Sequence, residues 1–262
     1  MDHQNAILYR LDGAVARVSF NRPAQLNPLI VPEGVDDLAA ACDRAVSDGA
    51  RAVLLTGEGR GFCSGADLKN LDIDQFTGNI QSWLAEILNP LFERIHALPL
   101  PLVVAVNGPA VGAGCSLALY GDMVVAARSA YFYQSFVDIG LHPDAGATWL
   151  LPRLVGLQRA ARMMMMGERI DAATAAQWGM IHEVVDDTVL QARAMEIARQ
   201  LAAKPTRALA LIRQAVRDGA ASTFAEALAV EARNQGAAAQ TQDFRIGVHA
   251  FREKRRPSFT GT

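Results

Sequence analysis

The stretch Val103-Val104-Ala105-Val106-Asn107-Gly108-Pro109-Ala110-Val111-Gly112-Ala113-Gly114-Cys115-Ser116-Leu117-Ala118 decides the fold. A short apolar, β-branched run stops at Asn-Gly-Pro, two glycines flank one alanine, and a helix-like segment follows. That order predicts a strand, a tight turn and a helix start. The first N–H groups of a helix have no partner within it, and glycine lets a ligand approach them closely. Three readings are open on these residues alone. A dinucleotide-binding turn requires G-x-G-x-x-G, and Leu117 stands where the third glycine belongs. The glycines can instead serve close helix–strand packing and bind nothing. The third reading is an oxyanion hole, which needs a second N–H donor from elsewhere in the chain.

A candidate second donor lies upstream. Ala52-Val53-Leu54-Leu55-Thr56 reads as a buried strand and runs into Gly57-Glu58-Gly59-Arg60-Gly61-Phe62-Cys63-Ser64-Gly65-Ala66-Asp67-Leu68. The lysine and hydroxyl of a phosphate-binding P-loop are missing, which argues against nucleotide phosphate. Dense glycine permits positive φ and exposes backbone N–H groups at the end of a strand. An ordinary surface turn is the plainer alternative.

Outward from these two segments, the 262 residues suffice for one large domain or two small ones. Basic and acidic residues nearly balance, 25 against 27, so neither nucleic acid nor an anionic membrane is an expected partner. Met1-Asp2-His3-Gln4-Asn5 carries no basic segment followed by an apolar one, and no run approaches a membrane span. A cytoplasmic location is expected, and Cys42, Cys63 and Cys115 suit a reducing compartment. Cys115 reads either as a small buried residue or as a nucleophile, with no histidine or carboxylate close in sequence. The five histidines are scattered without ligand spacing, so no metal site is expected. Met163-Met164-Met165-Met166 point around a helix, which indicates packing and not a ligand box.

The coarse order is strands at Ala6–Arg10 and Ala14–Phe20, a helix at Glu33–Ser47 and a strand at Ala52–Thr56. A polar stretch from Leu71 to Asn79 reads as flexible, and a helix follows over Ile80–Ala97, stopped by Pro99 and Pro101. After the central strand and helix come strands near Met123–Ala127 and Ala130–Phe132. Beyond Asp171 the chain reads as helical apart from a strand at Met180–Val185. Periodicity alone gives α/β with an α-rich tail.

Five stretches in order resemble the enoyl-CoA hydratase/isomerase (crotonase) family. They are Phe20-Asn21-Arg22-Pro23-Ala24-Gln25-Leu26-Asn27, Phe62 to Leu68, Asn107 to Ala118, Gly140 to Thr148, and Ala250-Phe251-Arg252-Glu253-Lys254-Arg255. The resemblance implies a crotonase-type spiral of ββα turns with a helical C-terminal trimerisation region. Residues 1–190 would form the acyl-CoA-binding core, and 191–262 would serve oligomerisation and pocket closure. It also implies a thioester enolate held by two backbone N–H groups, which by motif position are those of Ala66 and Ala113. Ala24, Leu26, Ser64, Asp67, Leu68, Gly112, Ser116, Phe136, Phe251 and Lys254 fall at substrate-binding positions. Phe251 and Lys254 would close the coenzyme A pocket of a neighbouring subunit; a solvated basic tail is the plain alternative.

Family hydratases carry two glutamates, and here those positions hold Ser116 and Phe136. An ordinary serine is a poor base and phenylalanine moves no proton, so the hydratase route lacks its groups. Asp144, in His142-Pro143-Asp144-Ala145-Gly146, reads on its own as an N-cap of the next helix. The resemblance makes it a proton shuttle instead. Dienoyl-CoA isomerases and the ring-1,2-epoxyphenylacetyl-CoA isomerases of phenylacetate breakdown carry an aspartate there. Nearby Asp138 reads as structural. The resemblance therefore implies an acyl-CoA isomerase with no metal or redox cofactor, coenzyme A arriving as part of the substrate. A homotrimer or a pair of trimers is implied. An enoyl-CoA hydratase drawing a carboxylate from elsewhere, or a silent CoA-binding or RNA-binding relative, are the alternatives.

Overall fold

The computed structural model describes residues 5–67 and 73–262. The chain runs β1 (Ile7–Asp12), β2 (Val15–Phe20), α1 (Glu33–Ser47), β3 (Ala52–Gly57), α2 (Ile73–Trp83), α3 (Asn89–Ala97) and β4 (Leu102–Val106). It continues through β5 (Ala110–Val111), α4 (Ala113–Ala118), β6 (Met123–Ala127), β7 (Tyr131–Tyr133), α5 (Ala147–Val155) and α6 (Leu157–Met165). Then come β8 (Arg169–Asp171), α7 (Ala172–Gln177), β9 (Glu183–Val185), α8 (Leu190–Ala202), α9 (Thr206–Gly219), α10 (Phe224–Ala239) and α11 (Gln242–Arg252).

One sheet has the order β1-β2-β3-β4-β6-β9, antiparallel at β1–β2 and parallel from β2 onward. Every residue of β3 and β4 is buried, which explains why both read as continuous apolar runs and not as alternations. A second small sheet joins β5, β7 and β8. This is the α/β crotonase-type fold that the family motifs imply. Because β2, β3 and β4 are parallel neighbours, the loops after Phe20, Gly57 and Val106 leave the same edge of the sheet. Ligands bind at such carboxyl ends in open α/β sheets, and two of those loops are the glycine-rich segments.

One expectation is corrected. The chain from Ile73 is helical where an irregular polar stretch was expected; Phe76 and Trp83 meet edge to face at 5.8 Å along that helix. A π-type turn at Leu84–Leu88 joins it to α3, so one long irregular helix replaces the shorter one expected from Ile80. Residues 71 and 72 of the polar stretch lie outside the described residues. The segment around Asp138 is a 3-10 turn, Ser135–Ile139. The four methionines divide as a helix demands, Met163 in the core and Met165 and Met166 exposed.

Helix α8 lies across β3, β4 and β6, so the first helix after position 190 covers the main sheet. Helix α9 is fastened by Arg213, whose Nε donates to Asp122 at 2.8 Å. Its other nitrogens reach the carbonyls of Ile95, His96 and Leu98 at 2.7–2.9 Å, at the end of α3. Among the described residues no helix is long and apolar enough to cross a membrane.

Candidate active site

Three loops converge because two asparagines wire them together. Asn27 Oδ1 accepts from the Arg22 amide at 2.8 Å, and its Nδ2 donates to Glu58 O at 2.9 Å and Gly61 O at 2.7 Å. Asn107 Oδ1 accepts from Gly57 N at 3.2 Å, while its Nδ2 donates to Gly59 O and Gly61 O at 2.8 and 3.1 Å. Asn27 has φ 58°, a left-handed conformation that asparagine tolerates better than most residues. Neither asparagine was assigned a role from the sequence. Apart from Arg22, five residues from Asn27, their partners lie 31 to 50 residues away, beyond any local pattern.

The glycine turns then meet face to face. Leu29 N–H donates to Gly65 O at 2.8 Å, pairing Leu29 with Ala66 in a parallel bridge. In that register the amide of Ala66 turns away from Leu29. Val111 N–H donates to Cys63 O at 2.9 Å and closes the second loop onto the first. A Cβ on Gly65 would stand 2.8 Å from Val111 O and 3.6 Å from the Ala113 nitrogen, which places the 65–66 peptide beside that amide. A Cβ on Gly114 would stand 2.4 Å from Cys63 O, so only glycine permits this approach. Neither Ala66 N–H nor Ala113 N–H donates to a backbone carbonyl among the described residues.

Asp144 is only partly exposed, and its Oδ1 is buried without a hydrogen-bond partner. Burial pushes its carboxyl up to about 6, countered in part by neighbouring His142 and by its own amide. It does not cap α5. Gly146, at φ 78°, holds the N-cap position and no side chain bonds there. Phe136 is 8% exposed, and its ring would lie 3.7 Å from a Cβ on Gly112. That sets an apolar wall against the turn. Ser116 is fully buried, its hydroxyl 3.4 Å from Gly112 O and 3.3 Å from Asp144 O.

The remaining predicted residues are spread more widely. Leu26, at φ 61°, packs against Gly61, and Ala24 is exposed in the short helix before it. Ser64 and Asp67 are half-buried on the loop that carries Ala66; Leu68 lies outside the described residues. Phe251 is 85% exposed at the end of α11, and Lys254 is exposed in the following turn. Asp138 accepts from the Tyr133 hydroxyl, as a structural residue would. Cys115 is fully buried and its thiol is pushed up to about 12, which removes the thiolate that a nucleophile needs.

The family model for enoyl-CoA hydratase/isomerase matches residues 10–262. The chain belongs to the enoyl-CoA hydratase/isomerase family, a family of enzymes. It is 43% identical to the 1,2-epoxyphenylacetyl-CoA isomerase of Escherichia coli K12 over 260 residues, 97% of this chain and 98% of that one. It is 44% identical to a "probable enoyl-CoA hydratase" of Rhodobacter capsulatus, covering 98% of each. The crystal structure of enoyl-CoA hydratase from Bacillus anthracis superposes with a TM-score of 0.90 at 31% identity, covering 99% of this chain and all of that one.

Proposed function

We propose that this chain is an acyl-CoA isomerase that holds a thioester enolate on the Ala66 and Ala113 amides and moves a proton with Asp144. The observation that carries the reading is the buried, unpartnered Oδ1 of Asp144, tied through its main chain to the Gly112 turn. A thioester oxygen docked on the two amides acidifies a C–H conjugated to the carbonyl. Ionised Asp144 takes that proton and returns it at another carbon, so a double bond migrates and no atom is gained or lost. With a ring epoxide, the carbon–carbon bond shared by the epoxide and the six-membered ring breaks while both C–O bonds stay, giving a seven-membered oxygen heterocycle. Asp144 moves one proton from the acyl chain to a ring carbon, so that no atom is gained or lost. The 1,2-epoxyphenylacetyl-CoA isomerase relative favours that substrate class. No metal or redox cofactor enters this scheme.

Hydration is the second reading, favoured by the Rhodobacter capsulatus relative. Activating water in these enzymes calls for acid and base groups, and Ser116 and Phe136 supply neither. A panel separates the two. A 3-enoyl-CoA in deuterated buffer should shift its double bond and take up deuterium alpha or gamma to the thioester carbonyl, while crotonyl-CoA absorbance stays nearly constant. Faster hydration of crotonyl-CoA than isomerisation of any panel member would reverse the assignment. Tight acyl-CoA binding with no turnover would favour a silent binding role.

Assembly into trimers or paired trimers belongs to the same reading. Ile212, Val216, Phe224 and Leu228 leave apolar surface exposed on α9 and α10, more than a monomer needs to display. Phe251 and Lys254 stand on the surface of their own chain, where they can close a neighbour's coenzyme A pocket, the lysine against phosphate. Light scattering at micromolar concentration should report a trimer or hexamer, and a monodisperse monomer would overturn this.

A further inference from the structure

The turn that carries Asp144 is strained. Ala145 is 2% exposed with φ 53°, a left-handed conformation that alanine rarely adopts, and Gly146 follows at φ 78°. Such a backbone persists only where its surroundings over-determine it. Two hydroxyls four residues apart, one in α4 and one in the turn that closes it, do so here. The Ser116 hydroxyl lies 3.3 Å from Asp144 O and accepts from Gln134 Nε2 at 3.3 Å. Tyr120 Oη donates to Ala145 O at 3.3 Å, and no backbone amide among the described residues serves that carbonyl. A Cβ on Gly146 would stand 2.4 Å from the same phenol oxygen, so the turn is seated directly on it. The phenol is itself fixed. Its ring packs on Phe92 at 5.4 Å, and Arg217 donates to Tyr120 O at 2.5 Å.

We propose that Ser116 and Tyr120 are positioning residues, whose hydroxyls anchor the consecutive carbonyls of Asp144 and Ala145 and so aim the Asp144 carboxyl at the site. The inference rests on Asp144 being the proton shuttle. Ser116 also lies 3.4 Å from Gly112 O, so one hydroxyl spans the turn bearing the Ala113 amide and the turn bearing the base. The spacing between enolate and base is thereby set by α4 and not by the flexibility of a loop. Misplacing a reacting group by about 1 Å can cost on the order of a hundredfold in rate.

Ser116→Ala and Tyr120→Phe each remove one oxygen, and either variant alone can carry the test. Using 3-hexenoyl-CoA as probe, each should lower kcat by roughly 10- to 100-fold with KM changed less than about threefold. Deuterium uptake into the acyl chain should fall in parallel. The decisive arm places each change in an Asp144→Asn background. A hydroxyl that acts through Asp144 has nothing left to position there, so the double variant should be no slower than Asp144→Asn alone. A further multiplicative loss in that background would mean a general structural role and overturn the proposal. So would parent kcat in both single variants beside an inactive Asp144→Asn, which leaves the shuttle itself intact. Full turnover in Asp144→Asn would instead remove the shuttle and the positioning role together.

Discussion

Asp144→Asn should reduce turnover by roughly two to four orders of magnitude while acyl-CoA still binds. The substitution keeps size and removes only the ability to accept a proton. Asp144 makes no capping bond to α5, so the helix loses nothing by the change. The pH dependence has a definite sign. The working form is the carboxylate, and burial pushes the group up to about 6. Parent kcat should therefore level off above that pH and fall about tenfold per unit below it. Stability runs the other way. The folded-state value lies above the ordinary 3.8, so protonation favours the fold; this contribution is full below 3.8 and lost as pH rises through about 6. At neutral pH the ionised, partly buried carboxyl costs on the order of 2 kcal/mol, discounted for its remaining contact with water. The asparagine variant should accordingly be more stable than the parent at pH 7.5 and no more stable at pH 4. Loss of stability with retained turnover would return the search to Asp67, Ser116 and Asp138.

The same residue marks how far the sequence could be read. The strands β3 and β4 were legible because burial on both faces leaves continuous apolar runs, and the glycine turns because their punctuation is strong. Asp144 was legible as a candidate base only through the family, since a cap and a base look alike in one chain; the geometry removes the cap reading, with Gly146 at that position. Strands of two or three residues, β5 and β8, are too short to carry a period. The 3-10 turn at Ser135–Ile139 and the residues after it mimic alternation because Val137, Ile139 and Leu141 fall at every second place. Ser116 was placed on the substrate from its motif position; the structure buries it and turns its hydroxyl to main-chain carbonyls. Asn27 and Asn107 were quoted within motifs without a task, because a long-range hydrogen bond leaves no local trace.

Arg213→Ala should destabilise the fold by about 3–5 kcal/mol, the range seen when one partner of a buried ion pair is removed. The Arg213 side chain is 5% exposed, and taking a guanidinium out of water is tolerable only where its donors are used. Here they are. Its nitrogens serve the Asp122 carboxylate and the carbonyls of Ile95, His96 and Leu98. Those carbonyls sit at the C-terminal end of α3, where backbone acceptors lack intrahelical donors. Asp122 in turn accepts from Leu102 N at 2.8 Å, at the first residue of β4, and from Arg217 at 3.0 Å. Alanine at 213 would thus leave a half-buried carboxylate short of one partner and helix carbonyls without donors. Lysine should recover only part of the loss, since one ammonium cannot reproduce a fork that reaches four acceptors. Urea denaturation with an unchanged slope and a lowered midpoint would register the effect. A loss below about 1 kcal/mol would mean that α9 is held by its apolar contacts and not by this latch. The latch also reaches the site, because Arg217 on the same helix holds the Tyr120 carbonyl. A helix from the region expected to serve oligomerisation and pocket closure therefore also braces, through Tyr120, the turn on which Asp144 is mounted.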